Sequence, residues 1–399
     1  MSASNNLRPG SYKLWLAKRA VALGVDMIGE RLRPPELRSR VDIPRNGTEL
    51  NERWLTDVLC HEHQGARVVS FSTPGGSVGT STRTALRVTY NAAGQAAGLP
   101  TELFTKTTAQ FSQRLTLGAA DVLHGETHFF LKFRPAVAIE APKGYWGGVD
   151  ESSWRSMILM EDVAATKGAQ FIRPTTPLTR GQVEDVLLNM AAYHGAWWGS
   201  PELKILKNPT DHLNNVSQFI AFEPRCAVGM ERAKSVIPVR LYGQADRLWK
   251  GTEKSLKIAT EVMAPTLLHG DSHVGQTYIT AEGRMGLADW QATMQGGWAY
   301  DFAYFVGSAC EPDDRREWER ELLELYLEGL ERAGGKAPGF DEAWLRYRQN
   351  LFYPYSAWAF TIGRAFYQPK MQPTDVCLAI IKRLATAIDD LDSFEALDI

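Results

Sequence analysis

The sequence predicts an α+β protein with a mostly β front part and a mostly helical back part. Strand-like segments, rich in β-branched residues and bounded by turn residues, are concentrated before residue 162. They cover 67–72, Thr82–Tyr90, Glu102–Thr107 and 156–160. After about residue 165 the apolar residues recur at helical spacing instead. A length of 399 residues is usual for two domains, so we expect the change of pattern to mark a domain boundary.

We expect three parts along the chain: an N-terminal helical extension over 1–45, a β-rich domain over 46–162 and a helical domain over 163–399. Residues 12–32 of the extension are amphipathic, and the Arg-Pro-Pro sequence at 33–35 ends this helix. Such a helix could pack on its own protein, on a membrane or on another subunit. Packing on its own protein is favoured, because most amphipathic helices do so.

Four further helices are predicted from apolar periodicity and from end signals. They cover 48–59, 179–198, 313–333 and 375–397. The first has Thr48 at its N-cap position. The second opens with Thr179 and Gln182, which have the spacing of a capping box, and Gly334 is placed to stop the third.

Composition excludes several classes of protein. The net charge is −2 and no long basic or acidic block is present, so no nucleic-acid partner is expected. No secretory signal is visible, and the first apolar stretch, residues 20–25, is too short to span a bilayer, so we expect no transmembrane segment. The cysteines occur singly and form no CxxC pair, which argues against a zinc knuckle and indicates buried thiols in a reducing, cytoplasmic location. They are Cys60, Cys226, Cys310 and Cys377.

The segment with the clearest chemical signal is 269–291, HGDSHVGQTYITAEGRMGLADWQ. Its middle predicts a tight hairpin, with a turn over 280–283 between two short apolar strands. The hairpin places two carboxylates, Asp271 and Asp289, near the ends of paired strands. The apolar residues of the two strands are Tyr278, Ile279, Met285 and Leu287.

Three kinds of chemistry are compatible with this segment. In phosphoryl transfer, one carboxylate accepts the proton of an attacking hydroxyl and a second holds magnesium on ATP. In a metallohydrolase, His269, Asp271 and His273 would lie on one face of an extended segment and bind zinc, although no further histidine has ligand-like spacing. In the third interpretation the same side chains only hydrogen-bond one another in a turn.

Upstream segments contain groups that phosphoryl transfer would need. Residues 73–80 predict a glycine-rich turn between two strands, and Lys106 lies on the next strand. Glu126 follows in a helix-like stretch. The glycine segment has neither the Walker nor the Rossmann spacing, and taken alone it could be an ordinary hairpin turn. Lys106 alone could likewise extend into solvent.

Taken in order, these motifs resemble the aminoglycoside phosphotransferase and choline kinase superfamily, and within it the ecdysteroid-kinase-like branch and its bacterial relatives. The resemblance implies a protein-kinase-like fold, with a small β-rich lobe and a larger helical lobe. It is carried by HGDSHVGQ at 269–276 and DWQ at 289–291, and by 75–79, 100–106, Glu126, 159–162, 194–198 and WAYDFAY at 298–304.

The resemblance implies a role for each residue of the catalytic segment. Asp271 would be the catalytic base, and Asp289 would bind Mg²⁺ together with Gln276. His269 would orient the catalytic loop. Two further residues are expected to be structural parts of the site: His273 and Asp301.

The resemblance also implies which residues bind ATP. Lys106 would contact the α- and β-phosphates, with Glu126 as its ion-pair partner. Backbone amides of the glycine segment would approach the phosphates, and the hinge residues would contact adenine. The glycine segment supplies Gly75, Gly76, Ser77 and Gly79, and the hinge supplies Met160, Glu161 and Asp162.

One residue departs from the family pattern, which usually has asparagine where this chain has Gln276. Glutamine carries the same amide one methylene further out, and magnesium tolerates little geometric error. The resemblance therefore leaves two outcomes open: an active kinase with altered metal affinity, or a weakened nucleotide-binding protein that has lost catalysis.

We expect an ATP- and Mg²⁺-dependent phosphotransferase with a small-molecule alcohol as acceptor. The aromatic run at 352–367, FYPYSAWAFTIGRAFY, would suit an apolar, aromatic or steroid-like alcohol, or an antibiotic, better than a polycationic aminoglycoside. The sequence does not define an oligomeric state.

Overall fold

The computed structural model describes residues 9–366, 368 and 370–399. Residues 1–8 of the predicted extension and Tyr367 of the aromatic run lie outside the described residues. The chain forms two compact units. The first contains the described residues up to Ala136 together with Pro142–Ala169, and the second contains Val137–Ala141 and Gln170–Ile399. The functional domain boundaries given above remain a prediction, because compactness alone does not establish independent folding.

The first unit is built on a five-stranded antiparallel sheet with the strand order β1-β2-β3-β5-β4. Its strands are β1 (Val68–Val78), β2 (Thr82–Tyr90), β3 (Glu102–Thr107), β4 (Gly144–Asp150) and β5 (Arg155–Glu161). Alternate residues of the central strands, such as Leu86 and Leu103, face a core that also contains Trp54. This core fixes the register of β3 and thereby the direction of the side chains along it.

The glycine-rich segment is a strand and not the predicted turn. β1 continues through Gly75 and Gly76, which pair with Ala85 and Thr84 of β2, and the turn lies at 79–81. The reason for glycine is close backbone approach: a Cβ on Gly76 would lie 2.3 Å from the carbonyl oxygen of Arg83.

The first unit also contains helices. They are α1 (Pro9–Leu32), α2 (Glu52–Leu59), α3 (Ala92–Ala96), α4 (Phe111–Ala119), α5 (Gly125–His128) and α6 (Val163–Lys167), with a π-helical turn at Phe129–Phe133 and a 3-10 turn at Arg134–Ala136. α2 begins later than predicted. Its N-cap is Asn51, whose side chain accepts from Trp54 N, and not Thr48.

The second unit is mostly helical. Its helices are α7 (Arg180–Ala196), α8 (Pro209–Phe219), α9 (Phe222–Arg232), α10 (Ala245–Lys257), α11 (Ala299–Ala309), α12 (Pro312–Arg332), α13 (Phe340–Gln349), α14 (Phe352–Ile362), α15 (Thr374–Asp390) and α16 (Ser393–Ala396). The predicted capping box of Thr179 and Gln182 is present at the start of α7. The predicted closing helix is interrupted, because Asp392 adopts a left-handed conformation between α15 and α16.

Two small antiparallel sheets complete the second unit. One pairs β7 (Thr266–Leu268) with β10 (Met294–Gly296). The other has the order β6-β8-β9 and consists of β6 (Gln170–Phe171), β8 (Thr277–Ile279) and β9 (Met285–Leu287). Short 3-10 and π-helical turns connect these elements.

The predicted α+β class, with a small β-rich part and a larger, mostly helical part, is confirmed. Among the described residues, no helix combines the length and the apolar character that crossing a bilayer requires.

Candidate active site

The β8–β9 hairpin brings the ends of the catalytic segment together. Thr277 pairs with Leu287, and just beyond this pair Ala288 N donates to the Gln276 carbonyl over 2.8 Å. Gln276 and Asp289 therefore lie at the same end of the hairpin. Asp289 has a φ of +59°, a left-handed conformation that aspartate tolerates better than most side chains.

Asp271 is surrounded by hydrogen-bond donors. Gln276 Nε2 donates to Asp271 Oδ2 over 3.1 Å, and His273 Nε2 lies 3.7 Å from the same oxygen. The Tyr304 hydroxyl is also hydrogen-bonded to Asp271. The Asp271 side chain nevertheless remains 39% exposed, so a solute can reach the carboxylate.

The tautomer of His273 follows from its second contact. Gly275 N donates to His273 Nδ1 over 3.0 Å, so the ring proton resides on Nε2, the atom that faces Asp271. The ring is almost completely buried, and burial lowers the pKa of His273 even though Asp271 acts to raise it. A neutral His273 therefore directs an N–H toward the carboxylate, 3.7 Å away, without adding a charge.

His269 is used to hold the loop. Its Nε2 donates to the Ala288 carbonyl over 2.9 Å, its Nδ1 accepts from Asp271 N over 3.3 Å, and its ring packs on Trp290. Both ring nitrogens are engaged, so His269 is not available as a zinc ligand. Within the described parts of the chain, no group of three or more His, Cys, Asp or Glu side chains could hold a metal ion.

Asp301 fixes the backbone of the loop that carries Asp271, at residues 269 and 270. Its carboxylate accepts from His269 N over 2.6 Å and from Gly270 N over 3.0 Å, and the Tyr193 hydroxyl donates to it over 2.9 Å. Burial alone would raise the pKa of Asp301, but the hydrogen bond from His194 and the backbone N–H groups lower it. His194 is fully buried, and burial lowers its pKa, so we infer that it donates to Asp301 as a neutral ring.

One face of α11 supplies most of this support. Tyr300 donates to the Gly270 carbonyl over 3.2 Å, Asp301 and Tyr304 act as described, and Val274 N donates to Ser308 Oγ over 3.2 Å. The roles of Tyr300, Tyr304 and Ser308 were not predicted. Their spacing from Asp301, by one, three and seven residues, is the signal that could have indicated them, since it places them along one side of a helix.

The helical part of the aromatic run, Phe352–Ile362, is mostly buried, whereas Phe366 is exposed. Part of the buried portion lies beside the Asp271 loop. The Trp358 ring meets the His273 ring edge-on at 5.0 Å, and the charge of Asp271 contributes, after burial, to raising the pKa of Tyr353. Phe352 instead packs on Phe394, away from the loop residues. The run thus contains residues that pack beside Asp271 and His273, and residues that belong to the helical core.

In the first unit, Lys106 and Glu126 form a buried ion pair. Lys106 Nζ lies 2.9 Å from Glu126 Oε1, and the two side chains are 6% and 9% exposed. β3 orients the lysine, and the short helix α5 supplies the glutamate. Burial restricts both side chains, so the ammonium group is held in one place.

The remaining predicted nucleotide contacts lie on strands or directly after them. Gly75, Gly76 and Ser77 are exposed on β1, and Gly79 N donates to the Ser81 carbonyl in the following turn. Glu161 N already donates to the Lys143 carbonyl, and Asp162 N donates to Glu102. Adenine contacts from the predicted hinge would therefore have to use carbonyl oxygens of this segment.

Carboxylates on a hairpin and a fixed lysine–glutamate pair are the groups expected of a phosphotransferase, and the comparison with known families agrees. The chain belongs to the phosphotransferase enzyme family, whose model matches residues 103–349, more than half of its length. Membership confirms the predicted superfamily and supports a small-molecule phosphotransferase. The match does not distinguish branches, so placement near the ecdysteroid kinases remains a prediction. The glycine segment lies before the matched residues.

Solved structures of small-molecule kinases are similar to this chain at low identity. The choline kinase of Streptococcus pneumoniae is 11% identical, over 81% of this chain and 94% of its own, with a TM-score of 0.41. The Plasmodium vivax ethanolamine kinase is 11% identical over 82% and 83%, with a TM-score of 0.44. The macrolide 2'-phosphotransferase of Brachybacterium faecium is 13% identical over 83% and 95%, with a TM-score of 0.40. The family assignment rests on the sequence match, and no curated protein matches significantly.

Proposed function

We propose that the protein transfers the γ-phosphoryl group of ATP to a hydroxyl of a small molecule, with Asp271 as the base. The observation that supports this best is the environment of Asp271. Its carboxylate is accessible, and its Oδ2 accepts a hydrogen bond from Gln276 and lies 3.7 Å from His273 Nε2. The hydrogen bonds from Gln276 and Tyr304 orient the carboxylate, and we assign its remaining acceptor capacity to the substrate hydroxyl. Positioning of this kind is the main contribution a protein makes to phosphoryl transfer.

In the proposed reaction the hydroxyl oxygen forms a bond to the γ-phosphorus. The bond from that phosphorus to the β,γ-bridging oxygen breaks, and the hydroxyl proton passes to Asp271. ADP and a phosphate monoester are the products. Asp301 and His269 do not touch the reacting atoms; they hold the loop that positions Asp271.

The oxygen donors at the hairpin end fit a magnesium ion. Asp289 offers a carboxylate and Gln276 an amide oxygen, since the Gln276 nitrogen is already directed at Asp271. Protein sites for Mg²⁺ commonly use one or two side-chain ligands and leave the other positions to phosphates and water. Bound there, the ion would neutralise charge on the transferring phosphoryl group.

For the first unit we propose that Lys106 neutralises charge on the α- and β-phosphates. Without Glu126 the lysine would lose its fixed position. The exposed residues of β1 and its turn, Gly75 to Gly79, are proposed to offer backbone amides to phosphates, and the segment from Met160 to Asp162 is proposed to contact adenine.

Four buried thiols agree with the predicted cytoplasmic location.

For the acceptor we propose an alcohol with an apolar or aromatic body, such as a steroid-like compound or an apolar antibiotic. The support is the aromatic neighbourhood of Asp271, namely His273, Tyr304, Tyr353 and Trp358. Aromatic rings bind flat apolar surfaces and offer no compensation for several ammonium groups.

A second candidate is a nucleotide-binding protein without catalysis, motivated by Gln276 in place of asparagine. The 3.1 Å bond from Gln276 to Asp271 favours the active enzyme, because the longer side chain still reaches the carboxylate.

One experiment separates the two candidates. We expect ATP to raise the melting temperature by several degrees, and to do so more strongly when Mg²⁺ is present. ADP release should then be measured with apolar alcohols, aminoglycosides and choline as acceptors, and we expect turnover with the first group. Mg²⁺-dependent stabilisation without turnover on any alcohol would favour the nucleotide-binding protein without catalysis. Turnover on aminoglycosides alone would refute the proposal of an apolar or aromatic acceptor.

A further inference from the structure

The N-terminal helix α1 has two apolar faces, and its own unit covers only one of them. On the covered face, Tyr12 and Leu23 are buried, and the Trp15 ring packs on Trp154 at 6.1 Å. Glu30 on the same side forms ion pairs with Arg114 and Arg155 at 2.8 and 2.9 Å. These contacts hold the helix in place and confirm that it packs on its own protein.

The opposite face carries an exposed aliphatic stripe. Its five side chains are between 59% and 78% exposed, although they are all Leu, Val or Ile. Because successive residues of an α-helix are rotated by about 100°, all five point within a sector of about 60°. The first and last are 18 residues apart, so the stripe is about 27 Å long. It consists of Leu14, Val21, Val25, Ile28 and Leu32.

Cations border this stripe on both sides. By the same rotation, Lys18 lies along one edge, and Lys13 and Arg31 lie along the other. Within the part of the chain that the structure describes, none of the three forms an ion pair or side-chain hydrogen bond. Asp26 points away from the stripe.

We propose that this aliphatic stripe binds the surface of an anionic lipid bilayer, with α1 lying in the interfacial plane. The apolar side chains would enter the boundary between headgroups and acyl chains, while the three cations would contact lipid phosphates. A second copy of the chain fits less well. An antiparallel pair would bring Lys13 of one copy to Arg31 of the other, and a parallel pair would bring together cations of opposite edges, so like charges meet in both cases.

Binding at a bilayer would suit a protein whose acceptor is apolar, because such compounds partition into membranes. The surface proposal does not depend on the proposed reaction, however, since α1 contributes no residue to the candidate active site. A failure of one can therefore be told from a failure of the other.

Co-sedimentation of the full chain with vesicles tests the proposal. We expect binding to phosphatidylcholine vesicles that contain phosphatidylglycerol to exceed binding to phosphatidylcholine alone by about tenfold or more at low salt, and to weaken as salt is raised. Replacing Val21, Val25 and Ile28 with Gln, which preserves helix propensity, should lower binding to the anionic vesicles by about tenfold. Replacing Lys13, Lys18 and Arg31 with Gln should remove the preference for anionic lipid.

The matched control replaces three exposed valines elsewhere, Val41, Val239 and Val262, with Gln and should bind as the wild type does. Circular dichroism of each variant checks that the helix content is retained. Absence of binding to anionic vesicles, or equal binding by the stripe variant and the control, would overturn the proposal. A dimer in sedimentation equilibrium that becomes monomeric in the stripe variant would also overturn it, because a second copy of the chain would then cover the stripe.

Discussion

The side-chain amide of Gln276 donates from Nε2 to Oδ2 of Asp271 over 3.1 Å. The bond joins a proposed metal ligand to the proposed base. The longer glutamine side chain, at the position where the family pattern has asparagine, therefore still reaches the carboxylate proposed as the base. The departure from the family pattern is therefore compatible with catalysis.

Two substitutions separate the two functions proposed for Gln276. Gln276→Ala removes the donor and the metal ligand, so kcat/KM should fall by about 100-fold and the Mg²⁺ concentration for half-maximal rate should rise. Gln276→Glu retains an oxygen for the metal but places a negative charge beside Asp271, so kcat should fall while the Mg²⁺ requirement does not rise. Steady-state kinetics at varied Mg²⁺ measures both quantities. Identical behaviour of the two variants would contradict this division of roles.

The buried pair of Lys106 and Glu126 predicts a separation of stability from activity. Removing one charge, as in Lys106→Met or Glu126→Gln, leaves the other charge buried without its ion-pair partner of 2.9 Å and should lower the free energy of unfolding by about 3–5 kcal/mol. The double variant Lys106→Met/Glu126→Leu should recover most of this stability but remain inactive, because no cation meets the phosphates. Urea denaturation together with ADP release checks both results. A double variant that turns over ATP would refute the role of Lys106.

Asp301 should act on catalysis through the loop. In Asp301→Asn one acceptor oxygen becomes an NH₂ group that faces the N–H groups of His269 or Gly270, which should cost about 3 kcal/mol of stability. Turnover should fall with Asp271 still present, and ATP affinity should change little, because Asp301 is not assigned to the nucleotide. Denaturation, kinetics and equilibrium ATP binding measured on the same variant test this. Full turnover in a correctly folded Asp301→Asn protein would count against the positioning role.

His212 predicts a loss of stability in mild acid. This buried ring has no hydrogen-bond partner for Nδ1 among the described residues, and burial lowers its pKa to about 3. Since the unfolded chain has the ordinary pKa near 6.5, it binds the proton more readily, so stability is full above that pH and is lost as pH falls toward 3. Between pH 6.5 and 5 the loss should be about 2 kcal/mol.

Urea midpoints across this range measure the loss. His212→Leu should flatten the pH dependence, whereas His63→Leu, at an exposed position, should leave it unchanged. The same slope in the His212 variant and the wild type would assign the effect to other groups.

Local pattern predicted much of the fold correctly. β2 and β3 begin and end at the predicted residues, and the capping box of α7 is present, because alternation and capping are decided by neighbours in sequence. The prediction of a turn at the glycine segment was wrong for a physical reason. Whether a glycine forms a turn or permits close approach of two backbones depends on the neighbouring strand. The glycine at position 76 is explained only by the Arg83 carbonyl on the neighbouring strand β2, which leaves no room for a Cβ.

The residues of the candidate site were predicted, but the α11 side chains that hold its loop in place were not. The sequence indicates Asp271, Gln276 and Asp289 by motif. It does not show that α11 places Tyr300, Tyr304 and Ser308 against the same loop, because that contact joins segments about 30 residues apart. Tertiary contacts of this kind are invisible to spacing alone.

The most direct test of the proposed function compares the wild type with Asp271→Asn, which keeps the shape of the side chain but removes the base. Phosphoryl transfer from ATP to the best alcohol acceptor should fall by about 10²–10⁴-fold, while the affinity for Mg²⁺-ATP stays near that of the wild type. Asp289→Asn, the matched control at the same hairpin end, should instead weaken Mg²⁺-ATP binding as well. Wild-type transfer by the Asp271→Asn protein would contradict the assignment of Asp271 as the base.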